Sequence, residues 1–293
     1  MLSQQLFNAL VLGSVYALFA LGFTLTFGVL KVINLLYGFY VAVGAFAALV
    51  GVQSLGLGLW AAGLFGVVVA GVVAVVCDTL LLTPLRRARA PELSSLIVTL
   101  GGVLLMNSLM HILFGAEVRR FPSGLLSQEA VHLGPLLVAP IQLVIVATVF
   151  VLVALLFVFM EKTRLGTAIR AIAERPDTAA LMGVNVGLVV SFVSFLSAAL
   201  SAAAGILIGL NFNAVQPYMG ESMMLRGFAV IIVGGLGDIR GALVAGLGLG
   251  FLEVMTAGYV SSNLKEAVAF SALILGLWLR PAGLFGKASG KRA

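Results

Sequence analysis

At 293 residues, with 61% hydrophobic and only 10% charged side chains, the chain holds more apolar surface than a water-soluble core of that size can hide. Its mean hydropathy of +1.18 requires solvation by lipid. The net charge of +6 is carried by basic residues lying between apolar runs, which speaks against a nucleic-acid partner and reads as a topology signal.

A helix crosses a bilayer with about 20 apolar residues. Taken in chain order, the sequence predicts spans near 8–29, 34–54, 57–82, 94–115, 138–160, 187–210, 222–237, 241–259 and 264–280. The expected fold class is all-α, a polytopic transmembrane bundle of eight to nine spans forming one domain over 1–293. Residues 1–30 contain no Lys or Arg, so the first apolar stretch lacks the basic start of a secretory signal and is expected to be a retained span. The single cysteine, Cys77, lies in an apolar run, so the chain offers no disulfide framework and no Cys-based metal site.

Nine crossings put the termini on opposite sides. With the N-terminus outside, the inner segments collect Lys31, Arg86, Arg87, Arg89, Lys162, Arg164, Arg170, Arg175, Arg240, Arg280, Lys287, Lys291 and Arg292. The outer segments then hold Arg119, Arg120 and Lys265, with Arg226 near a span end. The positive-inside rule selects that orientation, with the C-terminus in the cytoplasm.

Two spans, 34–54 and 222–237, are expected to be broken or re-entrant. The first holds Asn34, Gly38 and Gly44, the second Gly227, Gly234, Gly235 and Gly237. Each follows the long first span of its half, a pattern expected of an inverted repeat with a solute path between the repeats. Gly also serves close helix packing, the preferred reading for Gly241, Ala245, Gly246, Gly248 and Gly250 and for Ser197, Ser201 and Gly205.

The longest charged break runs from Lys162 to Asn185. Pro176 and Asp177 suit the start of a helix and Gly183 its end, so a short helix is expected over Asp177–Met182, carrying Ala179, Ala180, Leu181 and Met182. It reads either as a knob that docks in a groove on a cytoplasmic partner or as a plain connection.

Ionisable groups at membrane depth are costly and are usually paired or face a cavity. Asp78 lies about two turns before Arg86, which suits a structural ion pair, and Glu253 is assigned Arg226 as its partner. A neutral or zwitterionic solute needs hydrogen-bonding groups and helix ends in its path more than net charge. Asn34, Asn107, Asn213, Gln216 and the backbone at Gly38, Gly234 and Gly235 answer that description, although each polar residue taken alone reads first as an interhelical hydrogen bond. His111 and His132 stand too far apart in sequence to suggest a metal site, and no catalytic constellation is legible. A phosphate-binding loop is also missing, since Gly283-Leu-Phe-Gly-Lys-Ala-Ser289 has the wrong spacing, so any ATP chemistry belongs to another chain.

Several strings in order carry a resemblance over nearly the whole length. They are Gly13-Ser-Val-Tyr-Ala-Leu with Ala20-Leu-Gly, Ile33-Asn34 with Gly38 and Gly44, and Pro84-Leu-Arg86 followed by Ser94-Ser-Leu-Ile-Val-Thr-Leu-Gly101. Gly166 to Asn185, Gly234-Gly-Leu-Gly-Asp-Ile-Arg-Gly-Ala242 and Arg280-Pro-Ala-Gly-Leu-Phe-Gly286 complete the set. Together they resemble the LivH-type permeases of branched-chain amino acid ABC importers.

The resemblance implies alternating access across a bacterial inner membrane, driven by two cytoplasmic ATPase subunits that hold the ATP and Mg. This chain would then carry no cofactor and no ATPase site of its own. A second related permease or a second copy of this chain, and an extracytoplasmic binding protein, complete the implied assembly. The resemblance also implies a coupling segment containing Gly166, Arg170, Asp177, Ala179, Ala180, Leu181 and Gly183.

One departure stands out. Where the family often reads Ile-Asn-Phe-Ala-His-Gly-Glu, this chain has Ile33-Asn-Leu-Leu-Tyr-Gly-Phe39, so Tyr37 and Phe39 replace two ionisable groups. The resemblance extends to a superfamily that also moves urea, amides and aromatic acids, so urea, short amides and aromatic or carboxylic acids stand beside hydrophobic amino acids as possible cargo. A passive channel or ion-coupled carrier, and a non-transporting membrane subunit, are the rival classes.

Overall fold

The computed structural model describes residues 2–88, 90–122, 131–133, 136–280 and 283–285. Arg89, Lys287, Lys291 and Arg292, assigned above to the inner side, lie outside the described residues. Twelve helices are described, named here α1 to α12 in chain order. Helix α1 covers Leu2–Leu30, α2 Leu36–Gln53 and α3 Leu59–Cys77; a π-helical turn at Asp78–Leu82 carries α3 into α4, Thr83–Arg87. Helix α5 is Glu92–Phe114, followed by the strands β1, Val131–Leu133, and β2, Leu136–Val138, which pair antiparallel. Then come α6 (Pro140–Lys162), α7 (Arg164–Glu174), α8 (Pro176–Leu181), α9 (Val186–Phe212), α10 (Met219–Gly234), α11 (Ile239–Tyr259) and α12 (Lys265–Leu279).

Among the described residues, seven helical segments are long and apolar enough to cross a bilayer: α1, α2, α3 through α4, α5, α6, α9 and α11. Helices α10 and α12, at 16 and 15 residues, are shorter. A run of that length rises only about 24 Å at 1.5 Å per residue, less than the apolar core of a typical bilayer. The expected break in 34–54 lies ahead of the helix, not within it. Lys31 takes a left-handed backbone conformation at the end of α1, and residues 32–35 are non-helical or turn before an uninterrupted α2.

Helix α1 is the central post. Its Gly13 and Ala17 meet Gly250 and Gly246 of α11 with almost no side chain between the backbones, so the two helices lie antiparallel and close. Gly241 likewise abuts Gly234, and Gly205 abuts Val41. Gly248 does not take part, because a Cβ there would meet nothing within 4 Å.

Helix neighbours repeat between the halves. Helix α1 packs on α11 as α9 packs on α3; α2 packs on α9 as α10 packs on α1; α2 meets α5 as α10 meets α12. The C-terminal end of α1 and the N-terminal end of α9 lie at the same end of the bundle, beside α7 and α8, so the two sets run in opposite directions. That end is called the elbow end here, and the opposite one, with β1 and β2, the hairpin end. Lys31, Arg86, Arg87, Lys162, Arg164, Arg170, Arg175, Arg240 and Arg280 lie at or near helix boundaries of the elbow end, and Arg119, Arg120 and Lys265 at the hairpin end.

Candidate functional site

The first turns of α2 and α10 meet deep in the bundle. Gly38 and Gly220 face one another there, and a Cβ on Gly38 would lie 2.8 Å from the Gly220 carbonyl oxygen. Each helix begins near this contact, so the free backbone N–H groups of two helix starts converge on one region. Asn34 shapes the entry to α2, its Oδ1 accepting the Leu36 backbone N–H at 3.0 Å.

Aromatic rings fill the space that the missing His and Glu leave. Tyr37 and Tyr40 are fully buried and stack edge to face at 5.5 Å between centroids, while Phe23 lies 5.7 Å from Tyr37 and 6.3 Å from Phe228. The Tyr37 hydroxyl is hydrogen-bonded to the Thr26 hydroxyl, so its polar tip is satisfied inside an apolar cluster.

An acidic group does reach this region, from the other half. Asn107 of α5 donates through Nδ2 to Oε1 of Glu221 at 2.9 Å. Gly220-Glu221 is thus a Gly-Glu pair in the first turn of α10, with the Glu221 side chain exposed. Sequence reasoning overlooked Glu221; the signal was the position of 219–221 just ahead of the predicted 222–237 span, as 37–39 stands near the start of 34–54. Beside it, the rings of His111 and Tyr218 lie 4.4 Å apart.

The proposed path residues therefore divide. Gly38 and Asn107 converge on the first turn of α10, with Asn34 just before α2. Asn213 does not join them: it sits at the hairpin end in a left-handed conformation and holds the Phe121 N–H at 3.0 Å. Gln216 is exposed in the same loop. Gly234 and Gly235 lie at the far end of α10, where Gly235 adopts φ of 109° to turn the chain towards α11. There the backbone N–H groups of Leu284 and Phe285 donate to the carbonyls of Val233 at 2.8 Å and Gly234 at 3.1 Å. Residues 283–285 thus form one junction with the 234–242 string, far away in sequence, and Gly283 approaches Gly235 too closely for a side chain.

The four charged residues pair off. Arg86 grips Asp78 with two bonds, of 2.9 and 2.6 Å, at the start of the π-helical turn. Arg226 Nε donates to Glu253 at 2.7 Å and Nη2 to Glu266 at 3.0 Å, while the Tyr16 hydroxyl donates to the second Glu253 oxygen at 2.7 Å. Every oxygen of the buried Glu253 carboxylate is thereby satisfied, as a charge at that depth requires.

At the elbow end the Lys162–Asn185 segment contains two helices where one was expected. Thr163 caps α7 by accepting from the Gly166 N–H at 2.9 Å, and Ile169 and Ile172 bury one face of it. Arg170 donates to the Met160 carbonyl, tying α7 to the end of α6. Helix α8 ends at Gly183, with φ of 84° and its N–H on the Ala180 carbonyl at 3.0 Å. Asp177 and Ala180 are exposed. Ala179 is a correction to the docking surface: only 4% exposed, it faces the bundle, because α8 turns that side inward. Leu181 and Met182, at 88% and 81%, form the projecting apolar tip.

Comparison with known proteins places this architecture among transporters. The family described as branched-chain amino acid transport system permease component matches residues 5–278. The chain is 31% identical to the high-affinity branched-chain amino acid transport system permease protein LivH of Escherichia coli K12, over 97% of this chain and 95% of the relative. It is 29% identical to the corresponding protein BraD of Pseudomonas aeruginosa, over the same shares. Among solved structures, a chain of PsaBC from Streptococcus pneumoniae, in complex with Fab, matches with a TM-score of 0.51 at 14% identity, over 97% of this chain and 93% of that one, a likeness of fold.

Proposed function

Because the chain belongs to the family of branched-chain amino acid transport permeases, we propose that it is the membrane subunit through which a hydrophobic amino acid enters the cell, powered by ATPase subunits that dock on its elbow end. The full-length match carries this reading, since it spans the repeat and the elbow together. A soluble binding protein delivers cargo at the hairpin end, and a second permease subunit, related or identical, completes the pore. The concentration of basic residues at the elbow end supports a cytoplasmic position for that end and an outside N-terminus.

The geometry supports a division of labour. The solute path runs past the α2–α10 contact, where Gly38, Asn107 and Glu221 supply hydrogen-bonding groups and helix starts without a ring of fixed charge. The Asp78–Arg86 and Glu253–Arg226 pairs hold the bundle and stay out of the path. ATP-driven closure of the partner subunits acts on Leu181 and Met182, and α7, fixed to α6 through Arg170, transmits it. The two states must bind the docked partner differently for ATP to shift the balance between them.

Reconstitution tests this directly. Vesicles holding the chain with its ATPases should take up labelled leucine only when ATP and the binding protein are both supplied. Uptake down a gradient without ATP would overturn the reading in favour of a passive channel or ion-coupled carrier. ATP-driven uptake of urea or an aromatic acid in place of leucine would overturn the cargo alone.

A further inference from the structure

A cavity of about 460 Å³ opens at the hairpin end among α1, α6, α9 and α11, away from the α2–α10 contact. Its polar lining consists of four carboxamides: Gln5 and Asn8 on α1, Gln142 on α6 and Asn211 on α9. Phe212 and Val254 add an apolar side. No lining residue carries a formal charge.

These carboxamides are underused. Gln142 spends Oε1 on the Ala139 N–H at 3.3 Å and reaches Asn8 Oδ1 only at 3.5 Å. Among the described residues, Gln5 and Asn211 take no side-chain hydrogen bond and the Asn8 amide nitrogen has no acceptor. By contrast Gln4, one residue earlier, is fully engaged with the Leu137 backbone, so the neighbouring position shows what a structural glutamine at this end does. The Gln5 amide lies close over the Gly258 backbone, where a Cβ would come within 3.0 Å of Gln5 Nε2, so a larger side chain at 258 would displace Gln5.

A carboxamide offers both donors and acceptors but no charge. Several of them around one cavity suit a ligand that separates an ammonium from a carboxylate: carbonyl oxygens accept from the first and NH₂ groups donate to the second. A net anion or cation would enter without a countercharge. The volume lies within the range of about 300–1,000 Å³ usual for small-molecule sites. We propose that this cavity is a second binding site for a zwitterionic amino acid, outside the translocation path; the identity of the ligand rests on the amino-acid reading above.

The test uses the whole transporter in lipid nanodiscs, without the soluble binding protein, and tritiated leucine as probe. Leucine should bind, resist displacement by glutamate or arginine, and bind about tenfold more weakly to Asn8→Leu, Gln142→Leu and Gly258→Leu. Uptake driven by saturating binding protein should persist in all three, which also reports that they fold. Binding unchanged in these variants, absent from the unaltered transporter, or displaced equally by charged amino acids overturns the inference. If vesicles carry out no leucine uptake yet Asn8-dependent leucine binding persists, the cargo reading falls and the site stands. Normal uptake without such binding removes the site alone.

Discussion

Gly38 on α2 and Gly220 on α10 touch backbone to backbone, and a methyl group on Gly38 would also come within 3.0 Å of the Met224 Cβ. Gly38→Ala should therefore push the two helices apart, destabilising the fold by about 1–3 kcal/mol and cutting uptake severely. Gly63→Ala, where a Cβ meets nothing within 4 Å, should leave uptake unchanged. Uptake and thermal unfolding in detergent, measured on both variants, check the contrast.

Glu253 anchors Arg226 and Tyr16 at once. Glu253→Leu strands a largely buried guanidinium with only the exposed Glu266 beside it, a loss of about 3–5 kcal/mol for a buried pair broken on one side. Replacing both partners by Leu should restore much of that stability. A double-mutant cycle read by thermal melting decides, and additive losses would disprove the coupling.

Leu181→Glu together with Met182→Arg should abolish substrate-stimulated ATP hydrolysis while the protein still inserts. Ala179→Glu should act differently, lowering the yield of folded protein, since that side chain points into the bundle. ATPase stimulation and detergent gel filtration, read side by side, separate a docking defect from a folding defect.

Gly283→Val should loosen the junction at the end of α10. Its φ of 80° disfavours a β-branched residue, and a Cβ would lie 2.6 Å from the backbone of Gly235. Losing the bonds to the Val233 and Gly234 carbonyls costs about 1–3 kcal/mol for each buried group left without a partner. Faster hydrogen exchange confined to the last turn of α10 is the expected signature.

Much of the fold was legible because lipid imposes long apolar helices. The predicted 138–160 differs from Pro140–Lys162 by two residues at each end, and 241–259 from Ile239–Tyr259 by two at the start. Pairing of Asp78 with Arg86 and of Glu253 with Arg226 was legible too, since charges at depth need partners. Helix α7 was less legible because the charged residues of 162–175 mask its signal, Thr163 as cap before Leu165, Ile169 and Ile172 at helical spacing. The junction of 234–242 with 283–285 was not legible at all: its bonds are between backbone groups, which carry no sequence signature beyond the glycines that permit approach. Gln5 and Asn8 share a face of α1 by their i, i+3 spacing, but no pattern joined them to Gln142 and Asn211, which sit on other helices.

The bonds from Leu284 and Phe285 also order biogenesis. A ribosome finishes α10 well before it reaches those residues, so the last carbonyls of that helix stay open until α12 has been threaded into the bilayer. The turn at Gly235 is consequently among the last parts of the chain to settle, and a nascent chain arrested after α11 should remain open to protease there while its other helices are already protected.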